Sequence, residues 1–468
     1  MADPGGRLGV EGDLRQHRPG VAGPGKAGAA SRMSHAPRSI RPDGSPRAVL
    51  LALLLASCGA DGSSMDGGTD APRAPRDGGP DTGPPPPPPS EPGRHDVEVI
   101  DTRRIVPSDG LPAEPVPDHS NNNLDVVRFE DRVYLAWRTA PNHFVSAEAR
   151  IHVVSSTDEL SWRFERSFTV GSDLREPRFL VHGGALFLYT TQLGVTSIDF
   201  EPMGVFVSAR AADGSWSTLS PVLGLPTGFL AWRTRTEGGV PYMLGYLGGE
   251  MIYDFLDDPR IEVRVLTTDD GLSWRPVDAA RPSVYVGGGS EADFALAGDG
   301  SLYGIIRNEA GDASGFGSMV CHAPATDLLA WSCVNDPRKY DSPLVFAHDG
   351  EVYLVGRRNV SDTGDYDIAT DVVDHSERGV TNQLDYWMRA KRCALWRFVP
   401  GEDRIAYLLD LPSRGDTCFA AMIPTATPGE LAIYDYSSDI DGPDVSWRDG
   451  QGGDTFVYRH VLRFTPRP

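Results

Sequence analysis

Apolar and polar residues alternate along this chain in short runs rather than in helical stripes. The run Ile261–Leu266 is typical, with the period-2 pattern that buries one face of a strand. It ends in Thr267-Thr268-Asp269-Asp270-Gly271-Leu272-Ser273-Trp274, ahead of Arg275-Pro276. This reads as a hairpin turn whose aspartate bonds turn amides while the tryptophan packs beneath. The turn recurs as Ser156-Thr157-Asp158-Glu159-Leu160-Ser161-Trp162, shortened as Ala212-Asp213-Gly214-Ser215-Trp216, and degenerate as Ala325-Thr326-Asp327-Leu328-Leu329-Ala330-Trp331. Its tryptophans at 162, 216, 274 and 331 are 54, 58 and 57 residues apart, a period that belongs to repeat architectures.

Six paired runs share one layout, an inner apolar strand, a Gly/Asp turn and a second strand. They are Leu124–Phe129 with Val133–Arg138, Glu176–Leu180 with Ala185–Tyr189, Phe229–Trp232 with Tyr242–Leu244, Asp293–Leu296 with Leu302–Arg307, Pro343–Phe346 with Val352–Val355, and Cys418–Met422 with Leu431–Tyr434. In at least four units a third strand enters the aspartate turn and a fourth leaves it. Four strands per unit and six units predict an all-β fold, a six-bladed β-propeller closed into a ring that leaves few edges exposed. The strand near Val97–Ile100 is expected to complete the blade that ends with Thr455–Phe464, and no helical periodicity competes. One unit carries an insertion of about thirty residues between Arg358 and Lys391, rich in aspartate (Asp362, Asp365, Asp367, Asp371, Asp374) and ending in Tyr386-Trp387. It leaves the loop after a second strand, so it is expected to overhang one mouth of the ring, where long loops carry function. Its acidic spacing is not that of a calcium loop, and a solvated acidic flap is the expectation.

Charge and the N-terminal region then narrow the picture. With 65 acidic against 44 basic residues and a net charge of −21, the chain lacks the basic surface that nucleic acid requires. An Arg-rich start is followed by the apolar run Ala48–Ala56, too short to span a bilayer and the right size for a signal-peptide core. It ends in Leu55-Ala56-Ser57-Cys58, which resembles the lipobox of bacterial lipoproteins and implies lipidation of Cys58. The domain reading is therefore 1–58 extension and lipoprotein signal, 59–94 Pro/Gly-rich disordered tether, and 95–468 propeller. The expected location is the bacterial cell envelope, with the membrane touched through the lipid anchor only.

Four cysteines remain, Cys321, Cys333, Cys393 and Cys418, an even number in an oxidising context that allows three pairings. Cys321–Cys333 is favoured because the two flank the Asp327 turn, and Cys393–Cys418 because it would join neighbouring blades. A zinc site is the rival reading, without a CxxC or a close histidine pair to support it. No cofactor or resident metal is expected.

The turn pattern Ser/Thr-x-Asp-x-Gly-x-Ser/Thr-Trp resembles the Asp-box, or BNR repeat, and six blades bearing it over about residues 120–466 resemble the sialidase superfamily. The resemblance implies three arginines for a substrate carboxylate, a tyrosine nucleophile paired with a glutamate, and an aspartate acid/base. Glu291-Ala292-Asp293-Phe294, followed by Asp299-Gly300-Ser301-Leu302 and Arg307-Asn308, is similar to the segment carrying the glutamate and second arginine. Glu291 and Arg307 inherit those roles, with a third arginine at Arg357 or Arg358. At the first arginine's place stands Asn121-Asn122-Asn123-Leu124-Asp125, and at the tyrosine's place Gly415-Asp416-Thr417-Cys418. Tyr434 and Tyr436 lie on or after the following strand. Arg175 and Arg178 open the second blade and offer a replacement arginine.

The residues themselves point the same way. Glu291, Asp125, Glu176, Asp341 and Asp416 stand at equivalent ends of inner strands and would ring the mouth with carboxylates, from which Glu291, Asp125, Glu176 and Asp416 are the candidate acid, base or nucleophile. Arg175, Arg178, Arg307 and Arg358 are candidate ligand-binding groups, as are Arg138 and His143, which lie on a loop reaching the same mouth. Trp137 and Trp232 read as core. The expected partner is a carbohydrate or glycoconjugate, taken by a monomer that is either a sialidase-like glycoside hydrolase or a non-catalytic glycan receptor.

Overall fold

The computed structural model describes residues 84–195 and 200–468. Cys58, the apolar run 48–56 and the tether up to residue 83 lie outside those residues. Among the described residues no helix is long and apolar enough to cross a membrane.

Strand β1 (His95–Val106) is followed by six antiparallel sheets whose strands pair in chain order. Blade 1 is β2 (Ser120–Phe129), β3 (Arg132–Ala140), β4 (Arg150–Ser156) and β5 (Arg163–Phe168). Blade 2 is β6 (Leu174–His182), β7 (Ala185–Leu193), β8 (Pro202–Arg210) and β9 (Ser220–Pro221). Blade 3 is β10 (Leu230–Glu237), β11 (Val240–Leu247), β12 (Ile261–Thr268) and β13 (Trp274–Pro276), with β14 (Ser283–Gly287) also on β12. Blade 4 is β15 (Gly289–Leu296), β16 (Leu302–Asp312), β17 (Gly315–Ala323) and β18 (Ser332–Asp336); blade 5 is β19 (Asp341–His348), β20 (Glu351–Asn359), β21 (Lys391–Phe398) and β22 (Ile405–Asp410). Blade 6 takes β23 (Ala421–Pro424), β24 (Glu430–Ser437) and β25 (Phe456–Pro466), and β1 pairs with β25 from His95↔Pro466 to Val106↔Val457 to complete it. The ring is closed by chain from both ends of the domain, as the alternation near Val97 predicts.

The aspartate turns sit on the outer strands and are built from side chain to backbone. Asp270 Oδ1 accepts from Leu272 N at 2.8 Å and Ser273 N at 2.7 Å, and Thr268 Oγ1 from Gly271 N at 2.9 Å. Asp158 repeats this with Leu160 N and Ser161 N, and these amide donors hold its carboxyl down at about 2. Trp162, Trp216 and Trp274 are buried beneath their turns. Apolar clusters fill the gaps between blades; Leu135, Trp137, Phe419, Ile423 and Tyr434, for example, weld blade 1 to blade 6.

Disulfides link Cys321 to Cys333 across β17–β18 and Cys393 to Cys418 between blades 5 and 6. Contacts with the domain begin ahead of His95 among the described residues: Glu91 N donates to Tyr407 O at 2.9 Å, and Arg397 Nε donates to Glu91 O at 2.9 Å. The last residues of the expected tether are thus docked on blade 5.

The insertion is not the solvated flap its aspartates suggest, and it does contain a helix. Helix α1 (His375–Met388) is capped by Asp374, whose side chain accepts from Glu377 N at 2.8 Å. Its buried positions are Gly379, Asn382, Gln383, Tyr386 and Trp387, spaced at three and four but largely polar, so a search for apolar periodicity misses them. Asn382 Oδ1 accepts from Ile368 N and Ala369 N, both at 3.0 Å, and buried Asp367 accepts from Arg378 Nε at 2.9 Å. Gly379 is required by a close approach: a Cβ there would stand 2.4 Å from the Phe255 ring. A short second helix, α2 (Trp447–Gln451), packs nearby.

Candidate functional site

The inner strands share a defect that builds the site. Register breaks occur at Asn122/Leu124 in β2, Arg175/Arg178 in β6, Ala231/Arg233 in β10, Gly289/Ala292 in β15 and Asp341/Leu344 in β19. Each is a bulge at one end of its strand, and bulges re-aim side chains. The bulged residues Asn123, Glu176, Trp232, Glu291 and Ser342 all line one central cavity, joined by Phe419 from blade 6. Asn123, Glu176 and Ser342 hold left-handed φ values of 40°, 56° and 53°, conformations that non-glycine residues keep where the surrounding structure imposes them. One side chain from each of blades 1 to 5 is thereby turned into the cavity.

Beneath the cavity the axis is plugged by polar side chains that satisfy the innermost strand edges. Arg233 spans it, Nη1 donating to Ala420 O of blade 6 at 3.2 Å and Nη2 to Pro343 O of blade 5 at 2.7 Å. Asp125 Oδ2 accepts from Phe179 N and Asp293 Oδ2 from Val345 N, both at 2.7 Å. Arg178 lies over the Phe419 ring, 4.2 Å from its centroid, and burial pushes it down to about 9 despite neighbouring Asp125. Asp125 and Arg178 therefore belong to the plug and not to the cavity lining. Burial also raises the Asp125 carboxyl, against the pull of Arg178 and Arg233.

Above the plug lies a buried ion network. Asp341, fully buried, accepts from Arg357 Nη1 at 3.0 Å and Tyr386 Oη at 3.1 Å, with Arg307 Nε at 3.2 Å and Lys339 Nζ at 3.3 Å. Burial alone would raise its carboxyl, but Lys339, Arg307 and Arg357 hold it at about 2. Arg307 also pairs with Glu291 and Glu309, and Glu291 Oε2 accepts from Ser342 N at 3.0 Å. Across the cavity, buried Asp416 accepts from Tyr436 Oη at 3.0 Å and Trp447 Nε1 at 2.9 Å, and lies 2.7 Å from His143 Nδ1. Burial works against that charge, yet His143 and Arg357 keep the Asp416 carboxyl below its ordinary value.

Glu176 differs from all of these. It is 5% exposed, lines the cavity, and its Oε2 is buried with no hydrogen-bond partner among the described residues. Burial and the charge of Glu291 outweigh Arg175 and push its carboxyl up to about 7. Asp435 is raised equally by burial, but its oxygens accept from Phe419 N and Thr417 Oγ1 and it does not line the cavity. A group protonated near neutrality, unpartnered and facing a cavity is chemically equipped to give a proton.

Of the expected site residues, Glu176, Glu291, Arg175, Arg307 and His143 line the cavity. Asp416 reaches it through His143 and Tyr436. Arg138 does not: it is fully buried behind the mouth, bonding Asp173 Oδ1 at 2.9 Å and Phe144 O at 2.8 Å, and so props the loop carrying His143. Arg358 points to the outer side and pairs with Asp410, while its neighbour Arg357 enters the cavity. Sequence reasoning did not reach Tyr246, Tyr253 and Trp447, which with Trp387 of the insertion supply much of the aromatic lining. Trp232, read as core, is buried yet forms part of the floor.

No family model and no curated protein sequence matches the chain. A protein of unknown function from Dyadobacter fermentans DSM 18053 is similar in structure, with 12% identity and a TM-score of 0.50 over 79% of this chain and 99% of that one. Trypanosoma rangeli sialidase, solved with sialic acid, gives 13% identity and a TM-score of 0.47 over 74% of this chain; the match spans 54% of the sialidase. A family 117 glycoside hydrolase from the marine bacterium Zobellia galactanivorans gives 13% and 0.36, over 57% of this chain and 86% of that one. At 12% identity the Dyadobacter likeness speaks to fold alone. With six blades in a ring and the last completed by β1, the chain is a six-bladed β-propeller.

Proposed function

We propose that this protein is an exported carbohydrate-active enzyme, a glycoside hydrolase that takes a sugar in the central cavity, with Glu176 as its general acid. The observation that carries the reading is the Glu176 carboxyl, buried, unpartnered at Oε2 among the described residues and raised to about 7, while Asp416 on the other side of the cavity is kept below its ordinary value. Two carboxyl groups pushed apart in this way divide acid and base roles between them. Asp416 acts through His143 and Tyr436, which line the cavity and bond its oxygens, and these two are the groups that activate a water or nucleophile.

The lining also argues for what is bound. Phe144, Phe200, Tyr253, Trp387 and Trp447 offer apolar ring surface beside polar groups, the mixed surface that a sugar's C–H and hydroxyl faces require. The cavity's cations Arg175, Arg307 and Arg357 are already paired with Asp173, Glu291 and Asp341. That neutralised lining suits an uncharged polyhydroxyl ligand better than a carboxylate sugar. Cys58 as a lipid anchor would place the activity at the cell envelope.

The test is turnover on a panel of glycans. Glu176→Gln keeps the shape of the protonated acid and removes its proton, and the reading expects turnover to fall at least about a hundredfold with glycan affinity kept. Glycan binding by the parent without turnover would favour a receptor instead. One observation supports that second reading: Glu291 is committed to Arg307 and Ser342 N, so it is not free to act as a nucleophile.

A further inference from the structure

The strand that closes the ring meets blade 5 at a corner the central cavity does not use. His95 opens β1, while His348 and Asp349 form the turn from β19 to β20, at the opposite end of β19 from Ser342. The two imidazoles meet edge to face with centroids 5.2 Å apart. His95 is buried, and its Nδ1 lies 3.2 Å from Glu351 Oε2 and 3.0 Å from Tyr353 Oη. Glu351 is itself fixed, its Oε2 accepting from Arg94 N at 2.9 Å and Tyr353 Oη at 2.8 Å. A carboxylate at Nδ1 keeps the proton on that nitrogen and leaves Nε2 as the basic one. That Nε2 faces Asp349 Oδ2 at 3.4 Å, and His348 Nε2 faces the same oxygen at 3.8 Å. His348 Nε2 is buried without a hydrogen-bond partner among the described residues.

We propose that this corner is a binding site for a divalent transition-metal ion of the zinc type, held by His95 Nε2, His348 Nε2 and Asp349 Oδ2. The three atoms lie within 4.8 Å of one another. Tetrahedral zinc with ligands at about 2.0–2.2 Å places neighbouring ligand atoms roughly 3.3–3.6 Å apart, which the two histidine–aspartate spacings of 3.4 and 3.8 Å already approach. Glu351 behind His95 is the carboxylate–histidine–metal arrangement that fixes the tautomer and raises ligand basicity. Two imidazoles with one carboxylate select zinc-like ions over calcium or magnesium, which take oxygen ligands. Asp349 is 68% exposed, so a water completes the tetrahedron from the solvent side. The ion would pin the first residue of β1 to blade 5, and its effect is on ring closure, independent of what the cavity takes.

The probe is Zn²⁺ alone, titrated into the chelator-treated full chain and followed by calorimetry and thermal unfolding, with Ca²⁺ and Mg²⁺ as comparisons. The proposal expects one Zn²⁺ per chain, a Tm that rises with Zn²⁺ and falls back with EDTA, and no comparable response to Ca²⁺ or Mg²⁺. Glu351→Gln should weaken Zn²⁺ binding by about 10–100-fold and Asp349→Asn or His348→Gln by at least about tenfold. His322→Gln, at an exposed histidine elsewhere, should leave it unchanged. Asp349 is exposed and asparagine tolerates its left-handed φ of 46°, so Asp349→Asn folds even where a His95 variant fails. No Zn²⁺ uptake by the parent, or uptake of unchanged affinity in Asp349→Asn and His348→Gln, overturns the proposal.

Discussion

Asp341→Asn removes the anion around which three cations are arranged, with almost no change of volume. Asp341 and Lys339 are almost wholly inaccessible, and Arg307 and Arg357 are 7% and 4% exposed. Deleting one member of such a buried network leaves uncompensated charge, at a cost of about 3–5 kcal/mol. The carboxyl is held at about 2 in the fold against an ordinary 3.8, which corresponds to a contribution on the order of 2 kcal/mol. The sign follows from the depressed value: the contribution is present above pH 3.8 and is lost as pH falls through about 2. Urea unfolding at pH 7 should therefore show the variant less stable by about 2–5 kcal/mol at unchanged m-value, with the deficit shrinking below pH 3. A deficit under 1 kcal/mol at pH 7, or one that does not shrink in acid, would refute the view that this network is held together by Asp341.

Glu176→Gln tests the opposite sign. Because the folded carboxyl binds its proton up to about 7 rather than 4.5, the parent loses stability as pH rises between those values, by up to about 3 kcal/mol for the 2.5 units. Thermal unfolding should show the variant more stable than the parent at pH 8 and equal to it at pH 4.5; a pH-independent difference would contradict the raised value. Cys58→Ser should shift the protein from the detergent phase to the aqueous phase without changing its Tm, and unchanged partitioning would exclude a lipid anchor at Cys58.

How far the site could be read from sequence depended on what each residue type announces. The aspartate turns were legible because Asp270 and Asp158 do local work, bonding amides two and three residues on. Glu176 and Glu291 were legible as mouth residues because they sit where the inner apolar strands begin. Arg357 and Arg358 were not separable, since neighbours on a strand face opposite sides and sequence does not say which side is the cavity. Arg138 and Arg178 misled for a related reason: an arginine near a mouth serves equally as a prop for a loop or a plug for an axis. Helix α1 escaped notice because Asn382 and Gln383 are buried for their hydrogen bonds, a kind of burial that leaves no apolar stripe. The corner of His95, His348 and Asp349 joins residues more than 250 positions apart, and only ring closure brings them together.

The central claim is that Glu176 donates the proton in the cavity, and the pH dependence of kcat/KM on a glycan that the parent turns over tests it most directly. The account predicts that kcat/KM is high below pH 7, falls with an apparent pKa near 7 as Glu176 ionises, and that this limb disappears in Glu176→Gln along with most of the rate. A rate that stays flat from pH 6 to pH 8, or a limb near 7 that survives in Glu176→Gln, would contradict it.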